Sequence, residues 1–333
     1  MSLDIDIVEA YIQRGIEEFD STPLAAQLLR RLANEAPDLF FKAATAHLNS
    51  PAESNAHRML AIILLRQDDL FDRLVSPAYG TQESAVRLFK RLLAVDPSFD
   101  VKLARRLPGR SYWNHAQAFD TLRSTRALEI LDETSLGRRL LPILGHLPDS
   151  EDAKIAAKAT LFVGKRVQNP AWSKRQLDRG DERIRANAIE ALWGVNTPPA
   201  TRLLEECAHD RNNRVVGNAL VGLHIAGRPE ARRDLVSISR AGKAELRSTA
   251  AWAMGKIATP EFTPRLTELI RDDHPMVRGT ALRSLIQLRR IEAAASKPLI
   301  SPAVEKTPEV IAEVVEQAAN RIRIPSWAER GRR

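Results

Sequence analysis

Four stretches of this chain are close to one helix written at one spacing. RIRANAIEALWGV begins at residue 183, RVVGNALVGLHIA at 214, ELRSTAAWAMGKI at 245 and MVRGTALRSLIQL at 276, each 31 residues after the last. A fixed period of this length constrains the fold more than any single motif. Each unit must be one supersecondary piece that buries its apolar face only against copies of itself. The register is set by an alanine column: Ala127, Ala157, Ala188, Ala219, Ala250 and Ala281. Four residues on comes a large apolar column, Leu131, Leu161, Leu192, Leu223, Met254 and Leu285, and in the last four units Ile184, Val215, Leu246 and Val277 stand four residues before the alanine. Positions i, i+4 and i+8 share a helix face, and a small residue in the middle of that stripe predicts a close helix-to-helix contact.

The punctuation repeats as well. Asn196 and Gly227 lie one period apart just past the stripe, and both residue types suit a left-handed helix terminus. Pro198, Pro229 and Pro260 follow at the same period, with Thr197 and Thr259 as candidate N-caps. A second, shorter amphipathic helix then begins in each unit. No run of alternating β-branched and aromatic residues is bounded by turn pairs, so strands are not expected. The reading is all-α: an α-α superhelix, a right-handed solenoid of stacked helix pairs.

The segment DDHPMVRGTALRSL (272–285) fits D-x-x-P-x-V-R-x-x-A-L-x-x-L and resembles a HEAT repeat. The period is similar to that of the short bacterial HEAT-like repeats also found in phycobilisome lyases; long HEAT units run to about 40–47 residues. The resemblance implies that the second helix of each unit lines a concave binding surface. It is clearest over 140–290. The organisation expected is a helical region of degenerate pairs over 1–110, regular repeats over 111–290, a capping helix pair over 291–323 and a basic tail over 324–333. A separate N-terminal cap domain joined near LPGRSY (107–112) is the alternative.

Chemistry is sparsely signalled. The one cysteine, Cys207, excludes a disulfide within the chain and sits in a helical LLEECAHD stretch, where a lone thiol reads as a small buried hydrophobe. His209, two residues on, points to another side of that helix, and no H-x-x-x-H or H-E-x-x-H is present, so no metal is expected. This also sets the chain apart from the di-iron HEAT-repeat hydroxylases, whose His-Glu pairs it lacks. There is no Gly-rich phosphate loop, and no cofactor is expected. MSLDIDIVEA is acidic rather than patterned as a secretory signal, and MLAIILL (59–65) is far shorter than the roughly 18 apolar residues of a membrane span. A cytoplasmic location and no membrane association are expected.

Two sets of residues are candidates for binding. The variable columns of the second helix are Glu190, Val221, Trp252, Arg283 and Trp193, His224, Gly255, Ile286; of these Glu190, Trp193, Val221, His224, Trp252 and Arg283 are the candidate partner contacts. The other set is a basic column, Lys154, Arg185, Arg247 and Arg278, interrupted by Val216. Residues 1–100 carry 10 basic and 15 acidic side chains, whereas 101–333 carry 40 and 27, so the basic column lies where charge accumulates. It fits a stripe along a phosphate backbone. A structural ladder with Asp181, Asp210 and Asp272 is the favoured reading, because charged pairs at repeat junctions help fix stacking. The expectation is a non-catalytic scaffold that binds another protein. Nucleic-acid binding by 101–333 is the alternative, and a HEAT-like DNA glycosylase, whose site would need a concave carboxylate flanked by aromatics, is a third reading.

Overall fold

The computed structural model describes residues 4–19, 23–51, 53–109, 118–135 and 137–295. Among these residues there are helices and no strands. The first seven helices are Ile5–Glu17 (α1), Pro23–Glu35 (α2), Pro37–Leu48 (α3), Asn55–Leu64 (α4), Leu70–Leu74 (α5), Gln82–Val95 (α6) and Phe99–Ala104 (α7). The repeats follow as Thr121–Thr134 (α8), Leu141–Leu144 (α9), Ala153–Val167 (α10), Pro170–Leu177 (α11), Glu182–Glu190 (α12) and Pro198–Cys207 (α13). Asn213–Ile225 (α14), Glu230–Ile238 (α15), Ala244–Ile257 (α16), Thr263–Leu269 (α17) and Pro275–Ala295 (α18) complete them.

Every second helix from α2 to α18 packs on the next; α11, α15 and α17 each pack on the long helices before and after them, and α13 packs on α14 and α11. The result is the all-α superhelix that the period demands. The stack passes from the N-terminal helices into the regular repeats through α4, α6 and α8. One apolar core runs from Val8 to Val163 and a second from Ala186 to Leu288. The first core therefore continues past residue 110, and a small cluster of Ala156, Ala157 and Ile184 joins α10 to α12. The boundary drawn at 290 lies inside α18. Residues 296–333, with most of the expected cap and all of the tail, are outside the described residues.

The alanine column is what lets the long helices approach. Ala127, Ala188, Ala219, Ala250 and Ala281 are completely buried, and Ala157 nearly so. Their large partners Leu131, Leu192, Leu223, Met254 and Leu285 are buried with them. Side-chain caps start most of the long helices. Ser54, Thr81, Asp120, Asp152, Asp181 and Asn212 each accept a hydrogen bond from a backbone N–H of the first turn, which satisfies donors the helix itself leaves open.

Some punctuation differs from expectation. The left-handed terminus after α12 is Gly194 (φ 78°), not Asn196; Gly227 (φ 76°) is as expected, and Ala258 (φ 56°) takes the same place after α16. A glycine closer to the helix end was the cheaper choice for positive φ. Thr197 and Thr259 stand at N-cap positions, but neither side chain caps. Pro198 is the first residue of α13, Pro229 precedes α15, and Pro260 opens a 3-10 turn, Pro260–Phe262.

Ala219→Leu is expected to destabilise the chain by about 1–3 kcal/mol, as overpacking of a filled contact does. Urea or thermal unfolding reads this, and an unchanged midpoint would place Ala219 away from the stacking contact.

Candidate binding surface of the long-helix layer

The stacking contact is reinforced by polar side chains one residue before the alanine. Asn187 donates to the Ala157 carbonyl (2.7 Å), and Asn218 donates to the Ala186 carbonyl (2.8 Å). Thr249 accepts from the Asn213 amide (2.7 Å), and Thr280 bonds Ser248 (3.0 Å). Asn187, Asn218, Thr249 and Thr280 follow one another at 31 residues, so this ladder was visible in the sequence beside the alanines. Each bond satisfies a polar group at a helix junction and fixes one register between neighbours.

The basic column is largely consumed inside the protein. Arg185 on α12 pairs with Asp210, in the turn before α14. Arg247 on α16 holds both oxygens of Asp272 at 2.7 Å, in the turn before α18. The same two aspartates accept from the backbone N–H groups of Asn212 (2.8 Å) and His274 (2.9 Å), so each pair ties one long helix to the turn that starts the next. Arg278 donates to the carbonyls of Asp272 and Asp273, both at 2.8 Å. Asp181 caps α12 and pairs with Arg183, not with a column residue. Lys154 is exposed and has no ion pair among the described residues. A continuous phosphate-tracking stripe is therefore not what these side chains form.

Other arginines work in the same way further back. Arg166 is buried, lies over the Phe162 ring at 3.5 Å, and bonds Asp132 (2.8 Å) and the Ser135 carbonyl (2.6 Å). Arg139 pairs with Asp100, whose carboxylate is 1% exposed and also accepts from the Ser135 hydroxyl (2.9 Å). Buried carboxylates of this kind persist only with charged and hydrogen-bonded partners.

The candidate contact columns are split by the fold. Val221 is 2% exposed and cannot meet a partner; Gly255 is buried against Ser284, and Ser284 donates to the Ala251 carbonyl (2.8 Å). Ser284 lies across Gly255, and Val221 belongs to the second apolar core. Arg283 and Ile286 are exposed on α18, and Arg283 bonds Thr280 (3.0 Å). His224 is half-buried at the end of α14 beside Arg232 (3.4 Å); burial and that cation lower its pKa, favouring neutral imidazole.

Trp193 and Trp252 come together. Their residues lie two repeats apart, yet the rings reach across α14 to a centroid separation of 6.4 Å with 37° between planes. Two glycines of α14 make the room. A Cβ on Gly217 would lie 2.6 Å from Thr249 and 3.4 Å from the Trp252 ring; one on Gly222 would lie 2.9 Å from Leu204 and 3.0 Å from the Trp193 ring. The Trp193 indole N–H donates to the Asn218 carbonyl (2.8 Å), which sets that ring's orientation. Lys256 holds its ammonium 6.0 Å from the Trp252 centroid, the outer reach of a cation–π contact. Glu190, three residues before Trp193, is half-buried with no ion pair of its own among the described residues. Burial raises its carboxyl pKa, opposed by Lys165 and Lys256. The surface thus brings two half-buried indoles together, with the Lys256 ammonium at the edge of cation–π reach of one and Glu190 at the end of the helix that precedes the other.

Cys207 is buried, and burial pushes its thiol up to about 12, with Asp210 and Glu206 adding to the effect. A thiol so protonated is no nucleophile. Among the described residues no three of His, Cys, Asp and Glu converge to hold a metal, and no helix is long and apolar enough to cross a membrane.

Residues 233–320 match the family model for HEAT repeats. No curated protein matches the sequence. Among solved structures, human deoxyhypusine hydroxylase in complex with glycerol aligns at 15% identity over 81% of this chain and 100% of its own, with a TM-score of 0.33. An engineered protein aligns at 15% identity over 86% and 92%, TM-score 0.29. A chain of the Pds5–Scc1 complex aligns at 12% identity over 94% and 60%, TM-score 0.29.

Two outcomes follow from this geometry. The Arg247 hydrogen bonds, chiefly, hold the Asp272 carboxyl below its usual range. Its stabilising contribution is therefore full above the ordinary aspartate value of about 4 and is lost as pH falls through the lower folded value. Asp272→Asn should melt below the parent at neutral pH, and the two melting temperatures should converge in acid. Cys207 should resist iodoacetamide at pH 8 in the folded chain and react promptly in urea; equal rates would contradict its burial.

Proposed function

We propose that this chain, a HEAT-like repeat protein, is a non-catalytic scaffold that docks another protein on its long-helix layer. HEAT repeats are in general protein-interaction scaffolds. The observation that carries the reading is the Trp193–Trp252 pair over α14, with Lys256 beside the Trp252 ring. Half-buried indoles ringed by charge are the usual anchors of protein interfaces, because they lose large apolar area from water at little entropic cost. The pairing of Arg185 and Arg247 with aspartates supports a protein partner over a phosphate backbone. The serial packing of the long helices supports this layer as the inner, concave side.

The expected outcome is that Glu190→Lys and Lys256→Glu each remove proteins retained by the parent chain, whereas Arg202→Glu on α13 does not. Quantitative pull-down with the three variants reads this, and an identical retained set would move the interface elsewhere.

A second reading has one observation behind it. Glu190, its pKa raised by burial, stands three residues before Trp193, whose ring meets that of Trp252, and a HEAT-like DNA glycosylase would need a carboxylate with aromatics. Fluorescence anisotropy with random duplex DNA, single-stranded DNA and RNA, titrated with salt, separates the two. The scaffold reading expects no binding even at low salt. Tight binding that weakens steeply with salt overturns it. Base release from alkylated duplex, lost in Glu190→Gln, would then assign the enzyme.

A further inference from the structure

The cleft between the connection that follows α3 and the exposed side of α6 is unrelated to the indole pair. Its volume is about 920 Å³, and it is lined on one side by Ser50, Glu53 and Arg58 and on the other by Arg87, Lys90 and Arg91. Four of these side chains are cationic and one is acidic. They are not a by-product of a basic region, because the first hundred residues carry a net charge of −5.

The cations differ in what already holds them. Arg87 is held by Glu83 (2.9 Å). Arg91 receives the one acidic group of the lining, Glu53 (2.5 Å), and donates to the Ser50 carbonyl (3.1 Å). Arg58 and Lys90 are exposed and make no hydrogen bond or ion pair among the described residues. Arg87, Lys90 and Arg91 lie at i, i+3 and i+4 on one side of α6. Arg58 faces them from α4, whose first turn also opens on the cleft. His57, buried behind this rim, has its pKa lowered by burial and then by Arg91.

Glu53 indicates the ligand. Its side chain is 80% exposed, so burial does not hold it on Arg91; the guanidinium does. An exposed ion pair is worth little and exchanges readily. The cleft thus already accepts a carboxylate on a side chain, and leaves two further cations open beside it. These charges are strung along α6 and across to α4 instead of converging on one point, which suits several carboxylates in a row.

We propose that this cleft binds an acidic peptide segment of a partner protein, which displaces Glu53 from Arg91 and engages Lys90 and Arg58.

The test uses the full chain and fluorescein-labelled hexaglutamate, followed by anisotropy as salt is raised. The expected result is saturable binding that weakens with salt. Arg58→Glu/Lys90→Glu should bind at least ten-fold more weakly. These side chains are exposed and make no contacts the fold needs, and a thermal melt confirms that the variant is folded. Glu53→Gln should bind more tightly than the parent, because the internal competitor is gone. Lys154→Glu/Lys243→Glu, the same charge change outside the cleft, should bind as the parent does. Equal loss in both double variants would mean general charge attraction and overturn the proposal. So would unchanged binding by Glu53→Gln, or displacement of the peptide by pyrophosphate at a concentration where free glutamate has no effect, which would mark a phosphate site instead.

Discussion

The rest of the structure depends on how closely one long helix can lie on the next. That distance is set by a single methyl group in each repeat. Ala127, Ala188, Ala219, Ala250 and Ala281 have no exposed surface, and a larger side chain at any of them would push the stack apart. A larger apolar residue one turn on fills the space that the alanine leaves above and below. Because each unit buries its face only on its neighbours, a contact that is correct once must be correct every time, and the sequence repeats it.

Charge serves the same stack. The Arg-rich composition of residues 101–333 suggests a surface for polyanions, yet several of these arginines are held by carboxylates of the chain itself. Arg185 and Arg247 reach forward to aspartates that also start the next long helix. Arg166 and Arg139 do comparable work at Asp132 and Asp100. Arginine suits this role because its planar fork grips two oxygens while its stem packs on apolar neighbours. The indole pair over α14 and the open cations of the N-terminal cleft are not part of this internal pairing.

Much of the fold was legible before any coordinates. The period gave the helix pairs, the alanine column gave the buried face, and the motif at 272–285 gave the family resemblance. Details of termination were less so. Gly194 and Asn196 are two residues apart, and only the length of α12 decides which turns left-handed. The candidate site was half legible. Glu190, Trp193 and Trp252 were singled out by their columns, but Val221 stood in the same column as Glu190 and Trp252 and is part of the second apolar core.

The sequence by itself determined whatever is the same in every unit: two helices, which face is apolar, where small residues sit, and that copies stack. Those contacts are made between equivalent positions, so periodicity records them. Only the tertiary structure decided what differs between units. Trp252 meets Trp193 by crossing an intervening helix, and Arg166 reaches back 34 residues to Asp132. The reach of a long side chain over a neighbour, and the room two glycines leave beneath it, depend on several repeats at once, and no single column contains them.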